Sequence, residues 1–284
     1  CATPTAQPTA VPAPTTAPTT APTLAPTVAP SPTPLTFTDA SKRTVKLPKP
    51  AQRVVSLAPS NTEILFAVGA GKQVVGRDDL SDYPTEAKSV TSIGSTFKKL
   101  NTEAVVTLKP DLVLAANLTP AEQVKSLEDL GITVYVLGNP KDFDGLYQNL
   151  ITVGQMTGHE DEAKKLSESL KTRVKNVTDK IKNATAKPKV FYELDGSDPI
   201  KPWTSGPGTF IDTMITVSGG EKIGKGLKDL WALMSSEEIV KQNPDIIVLG
   251  DSNYGITAEK VSARAGWQNI AAVKNKKIFP RKSS

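Results

Sequence analysis

The strongest constraint in this sequence is an alternation of short β-branched runs with helical stretches, broken midway by a helical segment far longer than a strand-to-strand crossover needs. Arg53 to Leu57 is such a run. Pro59-Ser60-Asn61-Thr62-Glu63 follows with capping chemistry ahead of Ile64, Leu65, Ala67 and Val68. Gly69 and Gly71 stop that helix, and Val74-Val75 opens the next strand. Asn101 caps a helix through Leu108, Asp111 to Ala115 reads as a buried strand, Pro120 to Leu130 as a helix, and Ile132 to Leu137 as a strand. From Phe143 to about Asn183 the pattern stays helical, and Glu160 to Ile181 reads as one helix. Beyond it the alternation resumes, with strands at Val190 to Leu194 and Ile246 to Leu249 and helices at Thr209 to Val217 and Ser236 to Gln242. A hairpin, Thr36 to Thr38 against Thr44 to Leu47, precedes everything. This order predicts an α/β chain of two lobes with parallel sheets, joined by one long rigid helix.

A repeat supports two related lobes. Thr102-Glu103-Ala104-Val105-Val106 leads into Lys109-Pro110-Asp111-Leu112-Val113-Leu114, and Ser236-Glu237-Glu238-Ile239-Val240 leads into Asn243-Pro244-Asp245-Ile246-Ile247-Val248. In both copies a helix start is followed by Pro-Asp and an apolar strand.

Ten of the 23 prolines lie between Cys1 and Pro34, among Thr and Ala, and the first charged residue is Asp39. Such a stretch has too few large apolar side chains to offset the entropy of ordering, so residues 1–34 are expected to form an extended tether. The expected division is then an N-terminal lobe over 35–158, a bridging helix over 159–183 and a C-terminal lobe over 184–284. Cys1 is the only cysteine, which leaves no intrachain disulfide and no thiolate metal site. A chain that opens on Cys and runs into a Pro/Thr/Ala tether resembles a bacterial lipoprotein, acylated on that Cys and held at the outer face of the cell membrane. The alternative is an incidental N-terminal cysteine. His159 is the only histidine and sits in a polar helix start, where exposure is expected. One histidine excludes a bare-metal site of several His and offers no Ser/His/Asp set, so the chain is not expected to be an enzyme. The net charge of +5 is spread over Lys-rich helices such as Ala163 to Lys182, without the aromatic interleaving of a nucleic-acid binder.

Arg53-Val54-Val55-Ser56-Leu57-Ala58-Pro59-Ser60-Asn61-Thr62-Glu63, Ser81-Asp82-Tyr83-Pro84, Leu108-Lys109-Pro110-Asp111-Leu112-Val113, Trp203-Thr204-Ser205-Gly206 and Ser218-Gly219-Gly220-Glu221 together resemble landmarks of the helical-backbone (class III) periplasmic solute-binding proteins of ABC importers. Within that class the resemblance is closest to the cobalamin-binding and iron-siderophore-binding branches. It implies Rossmann-like lobes with a ligand cleft between them, capture of a corrinoid, and delivery to a permease dimer. A ferric siderophore or haem is the alternative within the same fold, and a surface-tethered adhesion or enzymatic protein is the alternative outside it. No cofactor is implied beyond the ligand, itself a metal chelate such as a corrinoid, haem or ferric siderophore, and the protein is expected to act as a monomer.

The resemblance assigns ligand contact to Pro59, Ser60, Asn61, Arg77, Phe97, Trp203 and Trp231, permease docking to Glu103 and Glu237, and lipidation to Cys1. Rigid aromatic faces suit a wide, flat, partly apolar macrocycle. The competing reading of Phe97, Trp203 and Trp231 is core packing; Trp203 is expected in a loop, and Trp267 is assigned to the core. Arg77 could equally pair with Asp78 or Asp79, and Glu at a helix start is favoured by the helix dipole alone. For haem, Tyr83, Tyr192 or Tyr254 could supply an axial ligand. The aromatic positions that the cobalamin binders carry at Leu80 and Ala116 are missing, and the class's closing loop and helix have no counterpart after Phe279, so a C-terminal lobe that is either truncated or differently capped is expected.

Overall fold

The computed structural model describes Ala2, Thr3 and residues 34–96 and 99–281. Cys1, nearly all of the proposed tether and Phe97 therefore lie outside the described residues. Thr33–Ser284 forms one unit by its internal contacts.

The hairpin pairs β1 (Leu35–Thr38) with β2 (Thr44–Leu47). The first lobe is a four-stranded sheet of β3 (Val54–Ser56), β4 (Val74–Arg77), β5 (Leu112–Ala116) and β6 (Val134–Leu137), in the order β4-β3-β5-β6 and parallel throughout. Its helices are α1 (Pro59–Ala67), α2 (Thr102–Thr107), α3 (Ala121–Glu128) and α4 (Phe143–Thr157). Successive strand residues point to opposite faces. Val54, Leu112 and Leu114 meet Leu65 of α1 and Leu150, Val153 and Met156 of α4 on one face. Val55, Val113, Ala115, Val134 and Val136 meet Val105, Val124 and Leu127 on the other. Burial on both faces is why these strands read as continuous apolar runs.

The long helix α5 (Glu160–Ile181) spans the predicted residues. It crosses α4 at close range: a Cβ on Gly154 would meet the Ala163 Cβ at 2.6 Å and the His159 carbonyl oxygen at 2.8 Å. Its start is not free in solvent as expected. His159 is about one-third exposed, and its Nε2 lies 2.9 Å from Gln73 Oε1. Gln73 spends its amide hydrogens on the carbonyls of Ala51 and Thr157, so its oxygen accepts and the imidazole Nε2–H donates.

The second lobe adds β7 (Lys189–Asp195), β8 (Trp203–Ser205), α6 (Phe210–Val217), β9 (Glu221–Lys222), β10 (Trp231–Leu233), α7 (Ser236–Gln242), β11 (Ile246–Leu249), α8 (Ala258–Ser262), α9 (Ala271–Lys274) and β12 (Ile278–Pro280). Its sheet is mixed rather than parallel. β7, β11, β12 and β9 run parallel, whereas β8 and β10 form an antiparallel ribbon along one edge, in the order β10-β8-β7-β11-β12 with β9 on β7. These two strands have only three residues each, too few for a period to register in the sequence. Trp267 belongs to the core as expected, edge-on to Phe191 with ring centroids 6.1 Å apart, its indole N–H donated to Ser236.

The repeat is real in three dimensions. Lys109 and Asn243 both take left-handed backbone conformations before Pro-Asp. Asp111 then accepts the N–H groups of Gln52 and Arg53 at 2.8 and 2.9 Å, and its own N–H donates to the Arg53 carbonyl. Asp245 does the same with Lys189, at 2.8 Å in each direction. In each lobe one aspartate fastens the first residue of a strand to the start of its neighbour.

Asp39 fastens the hairpin turn to the first sheet. Its buried carboxylate accepts from the Arg43 N–H and Nε at 2.9 Å and from the Val136 N–H at 3.3 Å. Burial pushes this carboxyl up, but the Arg43 guanidinium and the backbone donors outweigh it and hold it below its ordinary value of 3.8. A depressed folded-state pKa contributes stability that is present above the unfolded value and is lost as pH falls through the folded one. Asp39→Asn is therefore expected to cost about 1–3 kcal/mol in urea denaturation at pH 7, with the gap to wild type closing as pH falls below the ordinary carboxylate value.

Candidate functional site

In open α/β sheets ligands settle beyond the carboxyl ends of the strands, and here two such edges lie close together. Arg281, just after β12, acts electrostatically on the Tyr192 hydroxyl and on Glu63 in α1 of the other lobe. Burial pushes Glu63 above the ordinary carboxylate value, and Arg281 pulls it back. At the side of α4 the lobes touch directly: Phe143 packs edge-on to Phe210 at 5.1 Å, and the Thr213 hydroxyl donates to the Lys141 carbonyl at 2.9 Å.

On the first lobe the chain passes from β3 through Leu57 and Ala58 into α1, whose N-terminus has Pro59 in its first turn and no side-chain cap. Ser60 is exposed beside Pro59. Beneath them a polar network holds the turn. Thr62 Oγ1 lies 2.8 Å from both Ser56 Oγ and Ser81 Oγ, and the Ser81 hydroxyl donates to Asp78 Oδ1 at 2.8 Å. Burial raises the Asp78 carboxyl against the pull of the Ser81 hydrogen bonds.

Two residues assigned to ligand contact are used otherwise. The Asn61 amide is buried and donates to the Leu114 carbonyl at 3.0 Å, so it joins α1 to β5. Among the described residues Arg77 forms no salt bridge with Asp78 or Asp79. Its guanidinium donates to the carbonyls of Ala87 and Asp78 at 2.9 and 2.8 Å and staples the segment after β4. Carbonyls brought in by chain that is distant in sequence, or by the backbone itself, left no mark near either residue that could have predicted this.

On the second lobe Trp203 is a strand residue rather than a loop residue. It pairs with Leu233 across β8 and β10 and with Asp195 across β7 and β8, while Trp231 pairs with Ser205. Cross-strand partners and alternate residues share a face, so Trp203, Leu233 and Trp231 stand together on the edge ribbon. They are 41, 48 and 47% exposed. Behind the ribbon Lys222 is buried with its ammonium on the Ser205 carbonyl, and burial pulls its pKa down.

The sequence reading missed the polar floor at the ends of β7 and β11. Glu193 is fully buried and gripped by both guanidinium nitrogens of Arg264. Asp195 ends β7, and Asp251 lies two residues beyond β11. They line a cavity of about 390 Å³ together with Leu194, Ser197, Tyr254 and Ile256. The available signal was an aspartate at or just beyond the end of each strand run.

Glu103 and Glu237 lie in the first turns of α2 and α7, both exposed. Neither caps its helix: the Asn101 side chain accepts from the Ala104 N–H and the Ser235 side chain from the Glu238 N–H. Among the described residues neither carboxylate has an ion-pair or hydrogen-bond partner.

This two-lobed frame and its paired helix starts coincide with a known family. Residues 54–283 match the periplasmic binding protein family. The chain belongs to that family. It is 36% identical over 251 residues to the uncharacterised ABC transporter substrate-binding lipoprotein YvrC of Bacillus subtilis, covering 87% of this chain and 77% of that one. It is 33% identical over 237 residues to a cobalamin-binding protein of Halobacterium salinarum, covering 82% of this chain but only 61% of the relative's length. Among solved structures it resembles the possible iron-binding (periplasmic solute-binding) protein of Staphylococcus epidermidis ATCC 12228, at 32% identity and a TM-score of 0.68, over 82% of this chain and 90% of that one. This periplasmic binding protein is thus a helical-backbone, substrate-binding component of an ABC importer.

Proposed function

We propose that this binding protein captures a corrinoid between its two lobes and delivers it to a permease dimer in the cell membrane. The observation that carries the reading is the ribbon of Trp203, Leu233 and Trp231, three half-exposed apolar side chains on one face at the open edge of a sheet. Large apolar side chains gathered on a surface are costly to leave in water, and a flat macrocycle covers such a face with little loss of side-chain entropy. Pro59, Ser60 and Phe97 complete the proposed contact on the opposite lobe. The cobalamin-binding relative supports the ligand class. Equilibrium titration should give saturable binding of cyanocobalamin and little binding of haemin or ferric siderophores, with Trp203→Ala and Trp231→Ala each weakening it by about tenfold or more. Tight haemin or siderophore binding without cyanocobalamin binding would replace the corrinoid by that chelate.

Glu103 and Glu237 are proposed as the permease contacts. Two partnerless carboxylates, on equivalent helix starts of two related lobes, suit a two-fold symmetric receptor carrying cations. Reversing both, Glu103→Lys with Glu237→Lys, is expected to abolish association with the reconstituted permease while cyanocobalamin affinity stays within about twofold. Unchanged association would refute the assignment.

Lipidation of Cys1 with anchoring at the outer membrane surface is supported by the lipoprotein among the relatives. Mass spectrometry of the membrane-fraction protein should find a diacylglyceryl group on Cys1. An unmodified cysteine there would overturn the anchor.

A further inference from the structure

The cavity at the ends of β7 and β11 holds a group that folding leaves unfinished. Asp251 is 97% buried, with 3% of its surface exposed. One oxygen, Oδ2, accepts the Gly196 N–H at 2.6 Å, but Oδ1 has no hydrogen-bond partner among the described residues. A carboxylate oxygen stripped of water and given no donor is costly, on the order of 1–3 kcal/mol, which a donor entering the cavity would recover.

The surroundings keep the cavity acceptor-rich. Asp195 accepts the Ser197 N–H at 2.9 Å, which holds its carboxyl below the ordinary value, so it stays ionised. Arg264 is engaged by Glu193, and neither Arg264 nor Arg281 lines the cavity. The arrangement is also tightly built. A Cβ on Gly196 would fall 2.3 Å from Glu193 Oε1 and 2.5 Å from Arg264 Nη2, so only glycine lets the chain lie on the ion pair and hand its N–H to Asp251. A metal ion does not suit the set, since among the described residues no three His, Cys, Asp or Glu side chains come together as ligands. The cavity also adjoins the aromatic ribbon, because Asp195 is the cross-strand partner of Trp203.

We infer that Asp251, with Asp195 beside it, forms a specificity-determining subsite that accepts hydrogen bonds from a carboxamide on the rim of a macrocycle lying on Trp203, and that rejects carboxylates at the same position. This rests on the corrinoid reading above and deepens it. A corrin ring bears neutral amide side chains whose NH₂ groups are donors. A porphyrin bearing carboxylates would bring its negative charge against the Asp195 and Asp251 side chains.

The test compares binding of cyanocobalamin with binding of its monocarboxylic derivatives, each with one side-chain amide hydrolysed, to wild type, Asp251→Asn and the more exposed Asp195→Asn. Circular dichroism and thermal melting serve as checks on folding. Asn at 251 can still accept from Gly196 while turning a donor toward the cavity. In wild type at least one derivative should bind about tenfold or more weaker than cyanocobalamin, and in Asp251→Asn that gap should fall to about threefold or less. If Asp251→Asn does not fold, the same narrowing in Asp195→Asn, by at least about threefold, is required. Wild type binding cyanocobalamin and all derivatives alike, or folded variants keeping the full gap, overturns the subsite and leaves the corrinoid reading standing. Wild type binding none of these corrinoids overturns that reading, and the subsite with it.

Discussion

The placement of the two lobes depends on how closely α5 lies on α4. Gly154 has no side chain to hold the helices apart, and Ala163 with the His159 carbonyl fills the space a larger residue would need. The turn between the helices is fixed from outside by Gln73, which reaches the Thr157 carbonyl with its amide and the His159 ring with its oxygen. A rigid helix is a lever, so its direction at the first turn sets where Ile181 delivers the chain to β7. At the far end Ile181 rests against Gly219, and Phe143 with Phe210 closes the contact between lobes. The spacing of the two lobes is thus a consequence of packing at the two ends of α5.

The two walls of that cleft differ chemically. On the first lobe the polar groups beneath the β3–α1 turn satisfy one another: the Ser56, Thr62 and Ser81 hydroxyls and the Asp78 carboxyl form a chain, and Asn61 and Arg77 are occupied with carbonyls. That wall is a finished surface offering shape and backbone. On the second lobe Asp251 keeps an oxygen in reserve and the tryptophan ribbon leaves apolar area uncovered. On the corrinoid reading proposed above, affinity and discrimination would fall mainly on the second lobe.

The Pro-Asp staple shows how one local device builds both lobes. In each, a left-handed residue ends a helix, and the aspartate that follows ties two strand starts together. Because the helix start preceding it is fixed by the same unit, the exposed glutamates at 103 and 237 are carried in equivalent settings. The nearby caps Asn101 and Ser235 free those glutamates from helix duty.

Everything governed by local periodicity was determined by the sequence alone. The long helix, the parallel strands, the Pro-Asp repeat, the core role of Trp267 and the family itself could be read from runs of neighbouring residues, because helix and strand periods and capping preferences act over a few positions. What tertiary structure decided is what depends on segments far apart in the chain. The antiparallel ribbon that presents Trp203 and Trp231 needs strands too short to signal themselves. The hydrogen bonds of Asn61 and Arg77 to the carbonyls of Leu114 and Ala87 come from chain that is distant from them in sequence. The subsite at Asp251 exists only because residues 195, 196, 251 and 264 converge at the ends of two strands, where burial leaves one carboxylate oxygen without a donor; no single stretch of sequence contains that juxtaposition.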